Sequence, residues 1–166
     1  MIYKLESIKD NLTEILNLVA SYWKESDERR NIDDGKIDVE TYLRLEESSL
    51  AYILTARNDE GNMVGFILYT VTTCIHTDIA KASAELFFVT REYRNGNVAL
   101  GLLSEWEEVT PEESYLFFTL KTEFPHERLI SVTGYCHVEN IFMKRNRNGS
   151  SDSSSNTNCS NSRPGE

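Results

Sequence analysis

The run VTREYRNGNVALGLL, residues 89–103, closes an apolar stretch at Val89 and opens a helical one after a Gly set between two Asn. The chemistry such a run could do is anion binding. Where a buried strand turns into a helix, the first helical N–H groups have no intrahelical acceptor, and the helix dipole adds partial positive charge. Arg94 can neutralise a phosphate, and Gly96 permits unusual backbone angles. Asn97 belongs to the few non-Gly residue types that tolerate the left-handed region, and Ala99 is small enough for a ligand to lie close. An ordinary strand–helix connection carries the same letters, so the run alone does not choose between the two.

The flanking patterns supply the elements that would position this turn. IYKLES alternates as a short strand, and Leu12, Ile15, Leu16, Val19 and Tyr22 or Trp23 recur on one helical face. DERRNIDDGK reads as a polar loop and DVETYLRLEESS as a second amphipathic helix with Asp38 as N-cap. LAYILTAR and MVGFILYTVTTCIH make a hairpin turned at Asp59-Glu60-Gly61-Asn62. HTDIAKAS is expected to be a loop, and AELFFVT, from Ala84 with Glu85 at its start, a central strand buried on both faces. A helix from about Gly96 to Val109 should face the sheet with Val98, Leu102, Leu103 and Trp106. YLFFTLKT is a further strand, PHERLISVT a short helix closed by Gly134, and CHVENIFMKR the last strand. The predicted fold class is α/β (α+β): a mixed, mostly antiparallel sheet with helices on both faces.

Composition narrows the partners. The 166 residues suffice for one domain with a real core. A net charge of −10 argues against nucleic acid, which needs clustered Lys and Arg. Cys74, Cys136 and Cys159 share no CxxC spacing and do not cluster with the His residues, so neither a disulfide framework nor a metal site is expected. MIYKLESIKD lacks an apolar leader core, and no apolar run is long enough to cross a bilayer, which points to a reducing, cytoplasmic setting without membrane contact. After Arg147 the chain becomes Ser/Asn-rich with no large apolar residue, so the expected organisation is a domain over 1–147 and a disordered tail over 148–166.

The element order, the hairpin NDEGNMVGF, the segment FVTREYRNGNVALGLL and the ending GYCHVENIFMKR together resemble the GNAT superfamily of N-acetyltransferases. That family's diphosphate loop runs Arg/Gln-x-x-Gly-x-Gly/Ala, with a strand Val five residues ahead; Val89, Arg94 and Ala99 fit, and Asn97 departs where Gly is usual. The resemblance implies a splayed pair of parallel strands, AELFFV and YLFFTL, with the pantetheine of acetyl-CoA between them. Backbone at Phe88 and Val89 would pair with it, and N–H groups of Asn95, Gly96, Asn97, Val98 and Ala99, beside Arg94, would hold the diphosphate. A strand bulge beside such a site would be unsurprising.

The resemblance also implies direct transfer to an amine, of a small molecule or of a protein Lys, which needs a base and then a proton for the departing thiolate. Glu85 resembles the strand carboxylate that some members use as base, and apolar burial would raise its pKa; in solvent it is only a strand carboxylate. The family's usual acid, a Tyr four residues before the Gly matched by Gly134, is replaced by Ile130, which cannot give a proton. Of His126, Ser131, Tyr135 and Cys136 nearby, only His126 titrates near neutrality. PHERLISVTGY also resembles acetyltransferase-like proteins of bacteriophages, some of them virion components. The second function is therefore an interaction protein with a weakened site, and a homodimer or a virion assembly is the protein partner these readings allow.

Overall fold

The computed structural model describes residues 1–27, 38–94, 97–118 and 132–137. Along them run β1 (Ile2–Glu6), α1 (Leu12–Asp27), α2 (Val39–Glu47), β2 (Ala51–Arg57), β3 (Met63–Thr73), β4 (Ala80–Val89), a 3-10 turn (Arg91–Tyr93), α3 (Val98–Val109) and β5 (Tyr115–Phe118). The expected polar loop after Asp27, most of the short helix before Gly134, the last strand from Val138 on and the Ser/Asn-rich tail lie outside the described residues, as do Asn95, Gly96 and His126.

The strands form one sheet in the order β1-β2-β3-β4-β5, antiparallel throughout except for the parallel pair β4–β5. The hairpin between β2 and β3 turns where expected. The Asn58 side-chain oxygen accepts from the N–H groups of Glu60 and Asn62, and Gly61 takes φ +88°, a conformation that a side chain would strain. Gly134, at φ +85°, likewise has the left-handed geometry expected of a helix closure.

Two aggregates of apolar side chains lie on opposite faces of the sheet, because successive strand residues point to opposite sides. On one face α3 buries Val98, Leu102, Leu103 and Trp106 against Leu54, Ile67 and Tyr69. Their spacing is the helical one read from the sequence, and each such side chain taken out of water contributes roughly 1.5–3 kcal/mol. On the other face Ile15 and Val19 of α1 pack with Ile53, Phe66, Leu68 and Phe88, flanked by Tyr42 and Leu43 of α2. Leu16, expected on the same stripe, is exposed. Asp38 caps α2 as predicted: its carboxylate accepts from the Thr41 N–H at 3.1 Å and from the Thr41 hydroxyl at 2.7 Å.

Two boundaries differ from expectation. β4 starts at Ala80 rather than near Ala84, so part of HTDIAKAS is strand. Its small residues hide the apolar signal, yet Ala82 is fully buried and the register Thr73↔Ala80 to Thr70↔Ser83 continues the β3 ladder. The helix expected from about Gly96 runs Val98–Val109, and a 3-10 turn at Arg91–Tyr93 follows β4.

Candidate functional site

The segment joining β4 to α3 is anchored at both ends. Thr90 donates its N–H to the Val64 carbonyl at 2.9 Å, holding the end of β4 on β3, and Gly101 closes the first α3 bond to the Asn97 carbonyl at 2.7 Å. Between these points the N–H groups at the head of α3 have no acceptor within the helix. Asn97 is the N-cap but makes no side-chain capping bond, and the first turn of α3 contains no acid. The backbone of Asn97, at φ −82° and ψ 11°, is not left-handed, which corrects the expectation drawn from its residue type. Val98 is buried against the core, Ala99 is half-buried beside it, and Asn97 is exposed.

Arg94 is engaged rather than free. Its Nε–H donates to the Val89 carbonyl at 2.8 Å, its Nη2 pairs with Glu25 Oε2 of α1 at 2.7 Å, and its guanidinium carbon lies 5.3 Å from the centre of the Phe88 ring. Phe88 is buried and meets Tyr22 edge-on at 6.1 Å. Sequence reasoning found Arg94, Phe88 and Val89 but missed Glu25. One acid among 27 carries no signal of its own, and α1 reaches this turn only through the tertiary fold.

Glu85 sits in the middle of β4, at a bulge. The register runs Leu68↔Leu86 and then Tyr69↔Ala84, so Glu85 is the extra residue. The bulge sets the Glu85 carboxylate beside Thr70, whose hydroxyl donates to Oε1 at 3.0 Å. Glu85 is exposed, so the apolar burial expected of it is not there. Tyr42 of α2 faces the same region: burial first, and the Glu85 charge second, push its phenol above the usual range. Thr70 and Tyr42 were not anticipated, since a bulge is a property of register and not of composition.

The remaining candidates scatter. Cys136 is exposed, and Ser131, like His126, lies outside the described residues. Tyr135 packs edge-on against Phe118 at 6.4 Å, and burial, then the nearby Glu107 charge, push its phenol up to about 12. Parallel pairing of β4 with β5 reaches Ala84↔Phe118, the last described residue of β5, so the expected splay past that point lies outside the described residues. An open groove of about 320 Å³ lies at the opposite end of α3, lined by Glu107, Glu108, Glu112 and Glu113. Four carboxylates repel an anionic ligand, so this groove is not part of the candidate site. Among the described residues no group of three His, Cys, Asp or Glu side chains could hold a metal ion, and no helix is long and apolar enough to cross a membrane.

No protein-family model matches this chain, and no curated protein matches it by sequence. Solved structures do match it. A ribosomal-protein-alanine N-acetyltransferase from Brucella melitensis biovar Abortus 2308 superposes with a TM-score of 0.66 at 21% identity, covering 87% of this chain and 99% of that one. An aminoglycoside acetyltransferase from an uncultured soil metagenomic sample gives 0.69 at 16% identity, with 87% and 99% covered. A GNAT family acetyltransferase from Staphylococcus aureus gives 0.63 at 13%, with 87% and 97% covered. At these identities the likeness is one of architecture, and this chain has the GNAT acetyltransferase fold.

Proposed function

We propose that this protein moves an acetyl group from acetyl-CoA to an amine by direct transfer. What supports this reading is the head of α3: in a fold shared with acetyltransferases, it follows the strand of the parallel pair and carries neither a side-chain cap nor an acid of its own. The N–H groups of Val98 and Ala99, with those of Asn95, Gly96 and Asn97, would hold the donor's diphosphate, and Arg94 would add charge. The backbone at Phe88 and Val89 would meet the pantetheine arm. The Val89 carbonyl accepts from Arg94, and the Val89 N–H is the group we propose to pair with the arm.

Glu85 is proposed as the base. Thr70 fixes one of its oxygens and leaves the other to take a proton from the acceptor's ammonium, directly or through water. The neutral amine then attacks the thioester carbonyl, the C–N bond forms as the C–S bond breaks, the nitrogen gives its surplus proton to solvent, and the thiolate takes a proton from His126 or from solvent. A cationic acceptor, a small-molecule amine or a protein Lys, suits the −10 net charge.

Titration calorimetry with acetyl-CoA tests the donor site. Saturable binding is expected, and no binding at millimolar ligand overturns the enzyme and leaves an interaction protein built on the same fold. Glu85→Gln then tests the base: turnover should fall at least tenfold with acetyl-CoA affinity unchanged, and unchanged turnover across pH removes Glu85 from the mechanism.

A further inference from the structure

We infer that Glu25 is a built-in competitor for the anion that the β4–α3 turn binds, an autoinhibitory contact that the donor must displace. This rests on the proposed donor site and adds a residue to it from α1.

The position of the Arg94 guanidinium is set by the strand. Its Nε–H is held 2.8 Å from the Val89 carbonyl, a main-chain atom at the end of β4, and its plane lies over Phe88, which is 5% exposed. Glu25 reaches the opposite side of the same group, with Oε2 2.7 Å from Nη2. Glu25 therefore occupies a place beside Arg94 where a phosphate oxygen would pair, and a guanidinium presents a limited set of N–H donors in fixed directions.

Exchange is easy on both sides. The Arg94 and Glu25 side chains are each 39% exposed, and an ion pair at that exposure holds weakly. A diphosphate brings more charge than one carboxylate and also meets the head of α3, where Asn97 makes no side-chain cap and the first turn has no acid. Releasing Glu25 does not undock α1, because Ile15 and Val19 stay buried in the core and Tyr22 stays on Phe88. The device is a local change of partner: Arg94 leaves Glu25 for the donor, and the last turns of α1 lose their tether to the turn.

Calorimetry with acetyl-CoA on wild type, Glu25→Gln, Arg94→Gln and the double variant tests this, with thermal melts to check folding. Glu25→Gln should bind about twofold to fivefold more tightly than wild type, the range set by a weak ion pair. In the Arg94→Gln background the same change should give no gain. Glu25→Asp, which shortens the reach, should bind more tightly than wild type and keeps the question answerable if Glu25→Gln misfolds. If wild type binds and Glu25→Gln binds equally or less well, the inference is overturned while the donor site stands. A gain that persists without Arg94, or that Glu92→Gln in the same turn reproduces, means only a general field and also overturns it. If wild type does not bind at all, both the donor site and the competitor fail together.

Discussion

At the start of α2 the Asp38 carboxylate accepts from the backbone and the side chain of Thr41, and at the start of α1 Glu14 sits in the first turn and accepts from Arg57 and from the Met63 N–H. At the start of α3 Asn97 makes no capping bond with its side chain and no acid follows it. All three helices begin with the same deficit of acceptors and the same partial positive charge. In α2 the Asp38 side chain supplies an acceptor, in α1 the Glu14 charge complements the dipole, and α3, which follows β4 and Arg94, has neither a side-chain cap nor an acid in its first turn. A helix start that folding leaves unsatisfied costs some stability, and it is also where an incoming anion finds the most unclaimed donors. The proposed donor site rests on this difference between the helix ends.

The largest expected effect comes from making α3 resemble the other two. Ala99→Asp puts a carboxylate into the first turn of α3, where it fills space and repels phosphate. Repulsion between close charges near a surface is on the order of a few kcal/mol, so acetyl-CoA affinity should fall about a hundredfold or more. The helix itself tolerates an acid there. Calorimetry paired with a melt reads both quantities, and equal binding by the variant would place the diphosphate elsewhere.

The converse experiment takes away the partner of the α1 first-turn acid. Arg57 donates to Glu6 at 2.9 Å, to Glu14 at 2.9 and 3.2 Å, to the Asn11 side chain at 2.8 Å and to the Gly61 carbonyl at 2.6 Å, tying β1, α1 and the hairpin together. Arg57→Gln should lose about 2 kcal/mol, mostly through Glu6, which is 10% exposed; the Glu14 side, at 42%, is screened. The acid side of the stability curve gives the specific signature. The Arg57 hydrogen bond is the largest influence on Glu14 and lowers its pKa from 4.5; burial pushes Glu6 up, but bonds from Arg57, Lys4 and Thr55 bring it below 4.5. A carboxylate depressed on folding stabilises the protein above its unfolded pKa and loses that contribution as pH falls through the folded value. Wild type should therefore lose stability on acidification below about 4.5, and Arg57→Gln should show a flatter curve in that window. Parallel slopes in denaturant melts at several pH values would show that Arg57 is not the partner that matters.

What the sequence makes legible here is whatever depends on neighbours along the chain. Val98, Leu102, Leu103 and Trp106 announce the buried face of α3 by their spacing, Asp38 announces a cap three residues before Thr41, and Asp59-Glu60-Gly61-Asn62 announces a turn. The beginning of β4 is hidden because Ala80, Ala82 and Ser83 are too small to register as an apolar run, although Ala82 is fully buried. The candidate site is legible in its residues and not in their engagements. Arg94 is visible as a cation, but its pairing with Glu25 depends on how α1 crosses the sheet. Glu85 is visible as a carboxylate in a strand, but its exposure beside Thr70 follows from a bulge that only the β3–β4 register creates.

The smallest expected effect is the most discriminating one. Asn97→Asp leaves size and shape almost unchanged and adds charge at the exposed N-cap of α3, the position that Asp38 holds in α2. A side chain placed there that accepts from the first turn and complements the dipole should stabilise the helix by about 0.5–1 kcal/mol. The same charge faces the place proposed for the donor's diphosphate, so acetyl-CoA affinity should fall by about threefold to tenfold, less than for Ala99→Asp because the new carboxylate is exposed and screened. Stability and affinity thus move in opposite directions under one substitution, which neither a general loss of fold nor a general change in charge would produce. Asn97→Gly separates the charge from the loss of the side chain. At φ −82° glycine gains no conformational advantage, so affinity should stay level while stability slips slightly from added chain entropy. If Asn97→Asp raises the melting temperature and leaves acetyl-CoA binding untouched, the head of α3 is an uncapped helix end and nothing more, and its contrast with α2 carries no function.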